Sequence, residues 1–433
     1  MNVIDLICRI LLLTFGVLTV FRWFYMAVGI FAKAKKYPET DKLYRYGILV
    51  CARNEEKVIG QLIDSILMQT YPQDLVKVFV ICDGCTDGTA RVARERGAVV
   101  YEKDASPVPR KGFALEALIS YIKRDHGLES FDGFFVLDAD NLVDRNFIAE
   151  MNKAFAAGNK VVTAYRNTKN FDTNTVSSGY GIHFYANTAC FHRPRTALGL
   201  GTHLTGTGYL FATEIIPDGW HFTNLTEDDE FSMILAHRGI KVAFCEAAEF
   251  YDEQPVDLGT AFRQRLRWAR GRLTAFVMNF GKAVSLPFKI GFTGYDLFWH
   301  YFPVGMATWL IGIIYPAVSI AVSIAKGGAC ISGILITIGQ GILMTYIHGL
   351  VTGIFAAVKE RRHIRCGGFR LAFYVIMSPW FILSDMIHFL IAVFINVRWT
   401  RIEHSDTRTI GDLDAGKRAR ESGNAIPEEG RKS

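Results

Sequence analysis

The sequence predicts an α/β protein: a doubly wound, mostly parallel sheet in a cytoplasmic domain, flanked by transmembrane helices. Three observations carry that prediction. Between residues 46 and 165, short runs of β-branched and aromatic residues alternate with helical patterns, the order that builds a parallel sheet. One such run, residues 134–137, stops at two carboxylates, Asp138 and Asp140. In an open sheet ligands gather outside the carboxyl ends of the strands, so these acids face a crevice. Long, almost wholly apolar stretches, each above the ~20 residues needed to cross a bilayer, stand on either side of this region.

Composition narrows the class. Hydrophobic residues make up 50% of the 433 residues and mean hydropathy is +0.18, high for a soluble enzyme and low for a protein built only of membrane helices. The net charge is +6. Its basic residues cluster beside apolar runs, the pattern of membrane flanks and not of a nucleic-acid surface. The eight cysteines are scattered, and Cys82 and Cys85 form a Cys-x-x-Cys pair with no second pair to complete a zinc site.

Residues 3–31 are almost wholly apolar, interrupted by Arg9 and Arg22, and carry no small-residue cleavage site. Residues 1–32 are therefore expected to be a retained transmembrane anchor. Lys33, Lys35 and Lys36 follow and place the next domain, residues 45–260, on the cytoplasmic side. It opens with a strand at 46–51 and the loop Ala52-Arg53-Asn54-Glu55-Glu56. Residues 59–68 have helical apolar spacing before Tyr71-Pro72 breaks the pattern. A second strand, 76–81, runs into a Gly-containing turn around Asp83, with Asp87 and Thr89 as candidate caps for a helix at 90–96. A short strand at 98–101, a loop holding Lys111 and a helix to residue 122 lead to the acid-ended strand. No Gly-x-Gly-x-x-Gly fingerprint follows the first strand, which argues against a dinucleotide-binding dehydrogenase.

A helix at 146–155 and a strand at 161–165 follow, then a polar section to residue 195. Residues 199–211, with Gly206-Thr207-Gly208, have the composition of a loop that approaches a ligand closely. Thr226 is a candidate N-cap for a helix headed by Glu227, Asp228, Asp229 and Glu230 and ending near His237. After a late strand at 242–244, residues 261–280 form an amphipathic, strongly basic helix within an interfacial region, 261–290.

From there the composition changes. Residues 296–397 hold three hydrophobic segments (301–325, 331–358 and 371–397), the last containing Pro379, Asp385 and His388. Three full crossings from a cytoplasmic domain would put the tail outside, whereas Arg398, Arg401 and Arg408 favour the inside. A Pro379 segment that lies in the interface or re-enters would remove the conflict. The tail, residues 405–433, is charged and poor in apolar residues and is expected to lack fixed structure.

Several residues carry chemistry. Asp138 and Asp140, two apart in an extended run, point the same way and offer hard oxygen donors suited to Mg²⁺ or Mn²⁺ together with a substrate diphosphate. Asp83, at the next strand end, is placed to accept a hydrogen bond from a pyrimidine N–H. The plainer alternatives are a solvated strand end, a turn-stabilising Asp and, for Lys111, a solvated loop charge. Four consecutive acids repel one another, which favours at least one raised pKa; Asp228 so tuned accepts a proton from a sugar hydroxyl as general base. A simple acid cluster at a helix N-terminus is the alternative. Gln264, Arg267 and Trp268 recur at i, i+3 and i+4, on one helix face. Arg267 suits a diphosphate bidentately, Trp268 is a platform for a sugar ring, and Gln264 reaches hydroxyls. Arg263, Arg265, Arg270 and Arg272 point elsewhere and suit anionic lipid.

Ala52-Arg53-Asn54-Glu55-Glu56, Asp83 in its turn, Asp138-Ala139-Asp140, Thr226-Glu227-Asp228 and Gln264-Arg265-Leu266-Arg267-Trp268 follow one another in a familiar order. Over residues 45–275 the chain resembles the processive family 2 glycosyltransferases, similar to the membrane-embedded synthases of cellulose, chitin, hyaluronan and poly-N-acetylglucosamine. The resemblance implies a GT-A fold, a UDP-sugar donor, a divalent metal and a growing glycan as acceptor. It places Ala52, Arg53, Glu55, Asp83, Lys111 and Asp138 on the nucleotide-sugar, with Asp83 at the uracil and Lys111 toward the diphosphate. Asp140 becomes the metal ligand and Asp228 the catalytic base. Arg267 holds the diphosphate, and Gly206, Thr207, Gln264 and Trp268 hold the acceptor end. Trp399-Thr400-Arg401 and His404 resemble a segment that returns to the cytoplasmic site in such enzymes.

There are departures. Asp229-Glu230-Phe231-Ser232 stands where commoner relatives carry an Ile/Val-Asp-Leu pattern, Arg270-Gly271-Arg272 replaces a small, Gly-rich sequence, and no cyclic-dinucleotide receptor domain is expected. The reading is an inverting β-glycosyltransferase of the plasma membrane, processive and coupled to export. UDP-N-acetylglucosamine or UDP-glucose is the favoured donor, membrane lipid and an accessory subunit are compatible partners, and the compact architecture points to a bacterial cell. The competing readings are a single-addition transferase acting on a lipid-linked acceptor, a non-catalytic scaffold subunit, and a transporter using Asp385 and His388; the last leaves the α/β domain unexplained.

Overall fold

The computed structural model describes residues 3–325 and 331–421. The N-terminal apolar stretch forms two successive helices, α1 (Val3–Thr19) and α2 (Phe21–Phe31). The α/β domain then runs β1 (Tyr46–Ala52), α3 (Ile59–Leu67), β2 (Val76–Asp83), α4 (Thr89–Glu95), β3 (Val99–Lys103), α5 (Lys111–Asp125), β4 (Gly133–Asp138), β5 (Leu142–Val143) and α6 (Phe147–Ala156). It continues with β6 (Val161–Thr168), α7 (Thr175–Asn187), α8 (Arg193–Ala197), β7 (Tyr209–Ala212), α9 (Glu227–His237) and β8 (Val242–Asp252). The remaining helices are α10 (Leu258–Met278), α11 (Phe280–Tyr301), α12 (Val304–Ala325), α13 (Ile331–Lys359), α14 (Gly368–Phe394) and α15 (Ile410–Glu421).

The strands form one sheet in the order β3-β2-β1-β4-β7-β6-β8-β5. β3, β2, β1 and β4 are mutually parallel. β7 runs antiparallel to both β4 and β6, and β6 pairs with β8 in parallel. The sheet is therefore mixed but mostly parallel, as expected. β1 is buried on both faces, so it reads as a continuous apolar run. Ile48 and Val50 pack with α3 and α6 on one face, and Leu49 packs with α5 on the other. Because the chain leaves β1 for β2 on one side and reaches β4 on the other, a crevice opens outside their carboxyl ends. Antiparallel β7 brings Gly206-Thr207-Gly208 to the same edge, where the Gly208 amide donates to the Val136 carbonyl at 2.9 Å.

Four sequence-based expectations change. The polar section before residue 195 is helical: α7, a π-helical turn (Thr188–His192) and α8. α7 buries Ser177, Ser178, Gly179, Tyr180, Gly181, Ile182, Phe184 and Tyr185, so it is covered all round and has no amphipathic stripe to betray it. Thr226 precedes α9 without making a side-chain cap. The basic face of α10 is mostly spent inside the protein: Arg265 (6% exposed) bonds Ser384 and Asp385, Arg270 donates to the Ala392 carbonyl at 2.8 Å, and Arg272 lies 3.6 Å from Asp229. Only Arg263 of the four is left exposed to suit a lipid surface.

The tail is the fourth. Instead of lacking structure from residue 405, it is built as far as residue 421. Ile410 and Leu413, spaced to share one face of α15, bury against Leu142 and Tyr251. Burying two such side chains is worth roughly 1.5–3 kcal/mol each, enough to hold a short segment whose remaining residues are charged. Residues 422–433 lie outside the described residues.

Among the described residues three helices are long and apolar enough to cross a membrane: Ile10–Phe31, Ile338–Lys359 and Gly368–Phe394. The last is tied to the rest of the protein at several points. Near its start Arg370 pairs with Asp172 (2.9 Å), along its length Arg265 holds Asp385, and at its end Arg270 caps the Ala392 carbonyl. α14 is thus tied to the α/β domain near its start and to α10 along its remaining length. The segment that follows returns to the sheet edge, where His404 lies 3.0 Å from Glu55. α2 is clamped as well. Tyr25 Oη donates to Asp296 of α11 (2.8 Å), and Asp296 takes both arms of Arg195 from α8 at 2.6 and 2.9 Å.

Candidate active site

A chamber of about 450 Å³ opens at the carboxyl edge of the sheet. Every site residue expected from sequence lines it except Thr207. Its walls come from the ends of β1, β2 and β4, the start of α5, the loop before β7, the start of α9, the Gln264–Trp268 face of α10 and the returning segment 399–404.

Asp138 ends β4 with its amide donating to Asn141 Oδ1 (3.0 Å) and Thr207 Oγ1 (2.9 Å). Thr207 passes its own hydroxyl proton to Asn141 Oδ1 at 2.6 Å and is buried. It was expected at the acceptor end. In the structure it braces Asp138: in the bend before β7 its side chain is tied to Asn141 and the Asp138 amide, while Thr205 and Gly206 line the chamber. Gly206 adopts φ +86°, which frees its carbonyl to accept from Lys111 Nζ at 2.8 Å.

Lys111 is the first residue of α5, not a loop residue. Its ammonium contacts Asp138 Oδ1 at 2.5 Å and lies 3.9 Å from Glu227. Burial lowers its pKa, but the two carboxylates outweigh that and leave it at about 12. Asp83, now the last residue of β2, pairs with Lys103 (2.8 Å) and accepts from the Ser106 amide (3.2 Å). Arg53 stacks its guanidinium over Trp399, 5.5 Å from the ring centre, with Nη1 unpartnered.

Asp140 Oδ2 accepts from the Glu253 amide at 3.0 Å. Burial raises its carboxyl, yet His404, Lys169 and that amide overcome burial and hold it below the ordinary value. His404 Nδ1 is 3.0 Å from Glu55 Oε2. Burial lowers the imidazole, while Asp140, Glu55 and Glu253 together lift it to about 10. Around Asp140 the chamber therefore gathers Glu55, Asp252 and Glu253, a hard-oxygen, anionic wall that fits a divalent cation. Among the described residues no three His, Cys, Asp or Glu side chains form a preformed metal cage. Such an ion would complete its coordination with oxygens of the substrate.

Asp228 faces the chamber from the first turn of α9. Burial, Asp229 and Glu227, in that order, push it up to about 8. The same chamber is lined by Gln264, whose buried Oε1 has no hydrogen-bond partner, and Arg267, whose Nη1 donates to the Leu225 carbonyl at 3.0 Å. Trp268 is held edge-on by Tyr180 at 5.7 Å.

Sequence reading missed other lining groups. Arg166 and Asp252 form a buried pair at the ends of β6 and β8. Both strands run past the apolar stretches (161–165 and 242–244) by which they were recognised. Arg22, His203, Arg272 and His300 line the membrane-side end.

Comparison with known proteins accords with this geometry. The family model described as "Glycosyltransferase like family 2" matches residues 44–271. The poly-beta-1,6-N-acetyl-D-glucosamine synthase of Staphylococcus aureus (strain COL) is 25% identical over 266 residues, 60% of this chain and 62% of that protein. The probable glycosyltransferase YdaM of Bacillus subtilis (strain 168) is 25% identical over 247 residues, 54% of this chain and 57% of that one. The chain thus spans less than two thirds of the length of these curated relatives. In fold it is similar to mannosyltransferase PcManGT from Pyrobaculum calidifontis, solved with GDP-Man and Mn²⁺: TM-score 0.58, 17% identity, covering 82% of this chain and 98% of that one.

Proposed function

The chain belongs to glycosyltransferase-like family 2, and on that premise we propose that it moves a sugar from a UDP-sugar to a hydroxyl of a glycan, with inversion at the anomeric carbon, building a polysaccharide at the membrane. The observation that carries this reading is Asp228, a carboxylate with raised proton affinity, facing Gln264, Arg267 and Trp268 across a chamber that also holds Asp138 and Asp140. The name of the staphylococcal relative supports a polymer product and UDP-N-acetylglucosamine as first donor to try.

In the transfer, the acceptor oxygen gives its proton to Asp228 Oδ as it bonds to the anomeric carbon, and the bond from that carbon to the diphosphate oxygen breaks. Arg267 offers a fixed cation to the charge that develops on departing UDP, the electrostatic part of the catalysis. Mg²⁺ or Mn²⁺, held by Asp140 and diphosphate oxygens, would supply further neutralisation of that charge. Lys111 holds Asp138 against the donor, Asp83 is positioned for the base, and Trp268 and Gln264 orient the acceptor ring and its hydroxyls.

The test is UDP release by detergent-solubilised protein over a panel of UDP-sugars with Mg²⁺ or Mn²⁺, followed by sizing of the product. One active donor and a long product establish a processive synthase. A product one sugar longer than its acceptor replaces polymerisation with single addition. Folded protein that releases UDP from no donor removes the stand-alone synthase reading.

A further inference from the structure

Arg22 sits in the apolar helix α2, where a charge is expensive unless a partner or cavity accommodates it. Its Nη2 donates to the Trp299 carbonyl at 2.7 Å, while its buried Nε has no hydrogen-bond partner. Among the described residues no carboxylate lies within ion-pair distance of it. Asp296 in the neighbouring α11 is already bonded by Arg195 and Tyr25. Two further orphaned atoms belong to the same chamber wall: Arg272 Nε, 3.6 Å from Asp229 but without a hydrogen bond, and His300 Nε2, whose ring stacks on His203 at 3.8 Å. Buried donors of this kind cost free energy until something accepts from them.

Arg22 also lines a second cavity, about 390 Å³, that continues from the chamber between α2, α7, α13 and α14. The hydroxyls in its wall are spent on their own helices: Thr19 on the Phe15 carbonyl (2.7 Å), Thr352 on His348 (2.8 Å) and Ser378 on Val375 (2.9 Å). Asp385 is held by Arg265. What remains on offer is a mostly apolar surface, including Trp23, Met26 and Phe381, with His183, Asn187 and His348 as its other polar groups. An apolar cavity flanked by candidate membrane helices, closed at its inner end by an unneutralised guanidinium that also faces Asp228's chamber, has the polarity of an amphiphile with an anionic head.

We propose that Arg22, assisted by Arg272 and His300, binds the phosphate of a lipid-linked acceptor whose tail occupies the second cavity and whose sugar reaches Asp228. This rests on the transferase reading and names its acceptor class as a lipid phosphate.

The test titrates farnesyl phosphate, farnesol and inorganic phosphate into the full chain in a neutral detergent, with UDP titrated in parallel. Farnesyl phosphate should bind about tenfold more weakly to Arg22→Gln and nearly normally to Arg22→Lys, which keeps the charge and a donor for Trp299. Farnesol should not distinguish wild type from Arg22→Gln, and Arg263→Gln, on the exposed side of α10, should leave all three titrations unchanged. Failure of farnesyl phosphate to bind, or equal binding by Arg22→Gln, overturns the proposal. Inorganic phosphate binding as tightly as farnesyl phosphate overturns its lipid part. Phosphate-lipid binding without any UDP binding would instead sink the transferase reading, and UDP binding alone would sink this inference while leaving that reading in place.

Discussion

On the strand-end side of the chamber, the charges are paired with one another: Asp83 with Lys103, Asp138 with Lys111, Glu55 with His404 and Asp252 with Arg166. Arg53 Nη1, Asp252 Oδ1 and Gln254 Nε2 are buried atoms left there without a hydrogen bond. On the membrane side, Gln264 Oε1, Arg22 Nε, Arg272 Nε and His300 Nε2 are all buried without a hydrogen bond. The two halves therefore bind by different bookkeeping. At those ion pairs a donor must exchange bonds, displacing an internal partner, so the net gain per contact is small and selectivity comes from geometry. An acceptor adds bonds where none exist, and each orphaned group it satisfies recovers roughly 1–3 kcal/mol.

The largest expected effect falls on the residue between the halves. Asp228→Asn removes the base while keeping the shape, and turnover should fall about a thousandfold with UDP binding unchanged by calorimetry. Near-normal turnover with this variant would end Asp228's role as base. Next, Lys111→Met strips Asp138 and Glu227 of their shared cation. We expect about a hundredfold loss in kcat/KM, expressed mainly in the donor KM, because the donor then meets two uncompensated carboxylates. A loss confined to thermal stability would show that the pair is scaffolding and not an exchange partner.

The pH profile gives a third, smaller contrast. Asp228 must be ionised to accept a proton, and its pKa is raised to about 8. Activity should therefore be full above pH 8 and fall about tenfold per unit as pH drops below it. A profile flat between pH 6 and 9 contradicts that assignment. The smallest effect belongs to Gln264→Ala, which removes one unmet acceptor from the membrane side. The acceptor KM should rise roughly fivefold while the donor KM stays put, and an unchanged acceptor KM would mean that the orphaned Oε1 is not a substrate contact.

Much of the strand-end half was legible in the sequence because its signals are local. A buried strand must stop where carboxylates begin, and Asp83, Asp138 and Asp140 announce those stops within a few residues. Gln264, Arg267 and Trp268 announce a helix face through spacing alone. The membrane-side half was mostly illegible because its groups converge from α2, α10 and α11, far apart in the chain, and no pattern reports that convergence. α7 escaped notice because a helix buried on all sides has no polar face. α14 was legible as a long apolar segment, but its long-range ties to Asp172 and Arg265 were not. Thr207's bonds to Asn141 and the Asp138 amide are contacts between residues far apart in the chain, which no local pattern reports.

One consequence of α14 and α15 both being docked concerns the segment between them. Residues 395–409 are a tether fixed at each end, and even fully extended such a stretch reaches only ~3.3–3.6 Å per residue. Trp399 and His404 are thus confined near the sheet edge at an effective concentration on the order of millimolar. If Arg53 and Glu55 lose these partners, recapture is a first-order event on roughly the submicrosecond timescale of short loop closure, independent of how much protein the cell makes. A free peptide of the same sequence would need millimolar concentrations to compete.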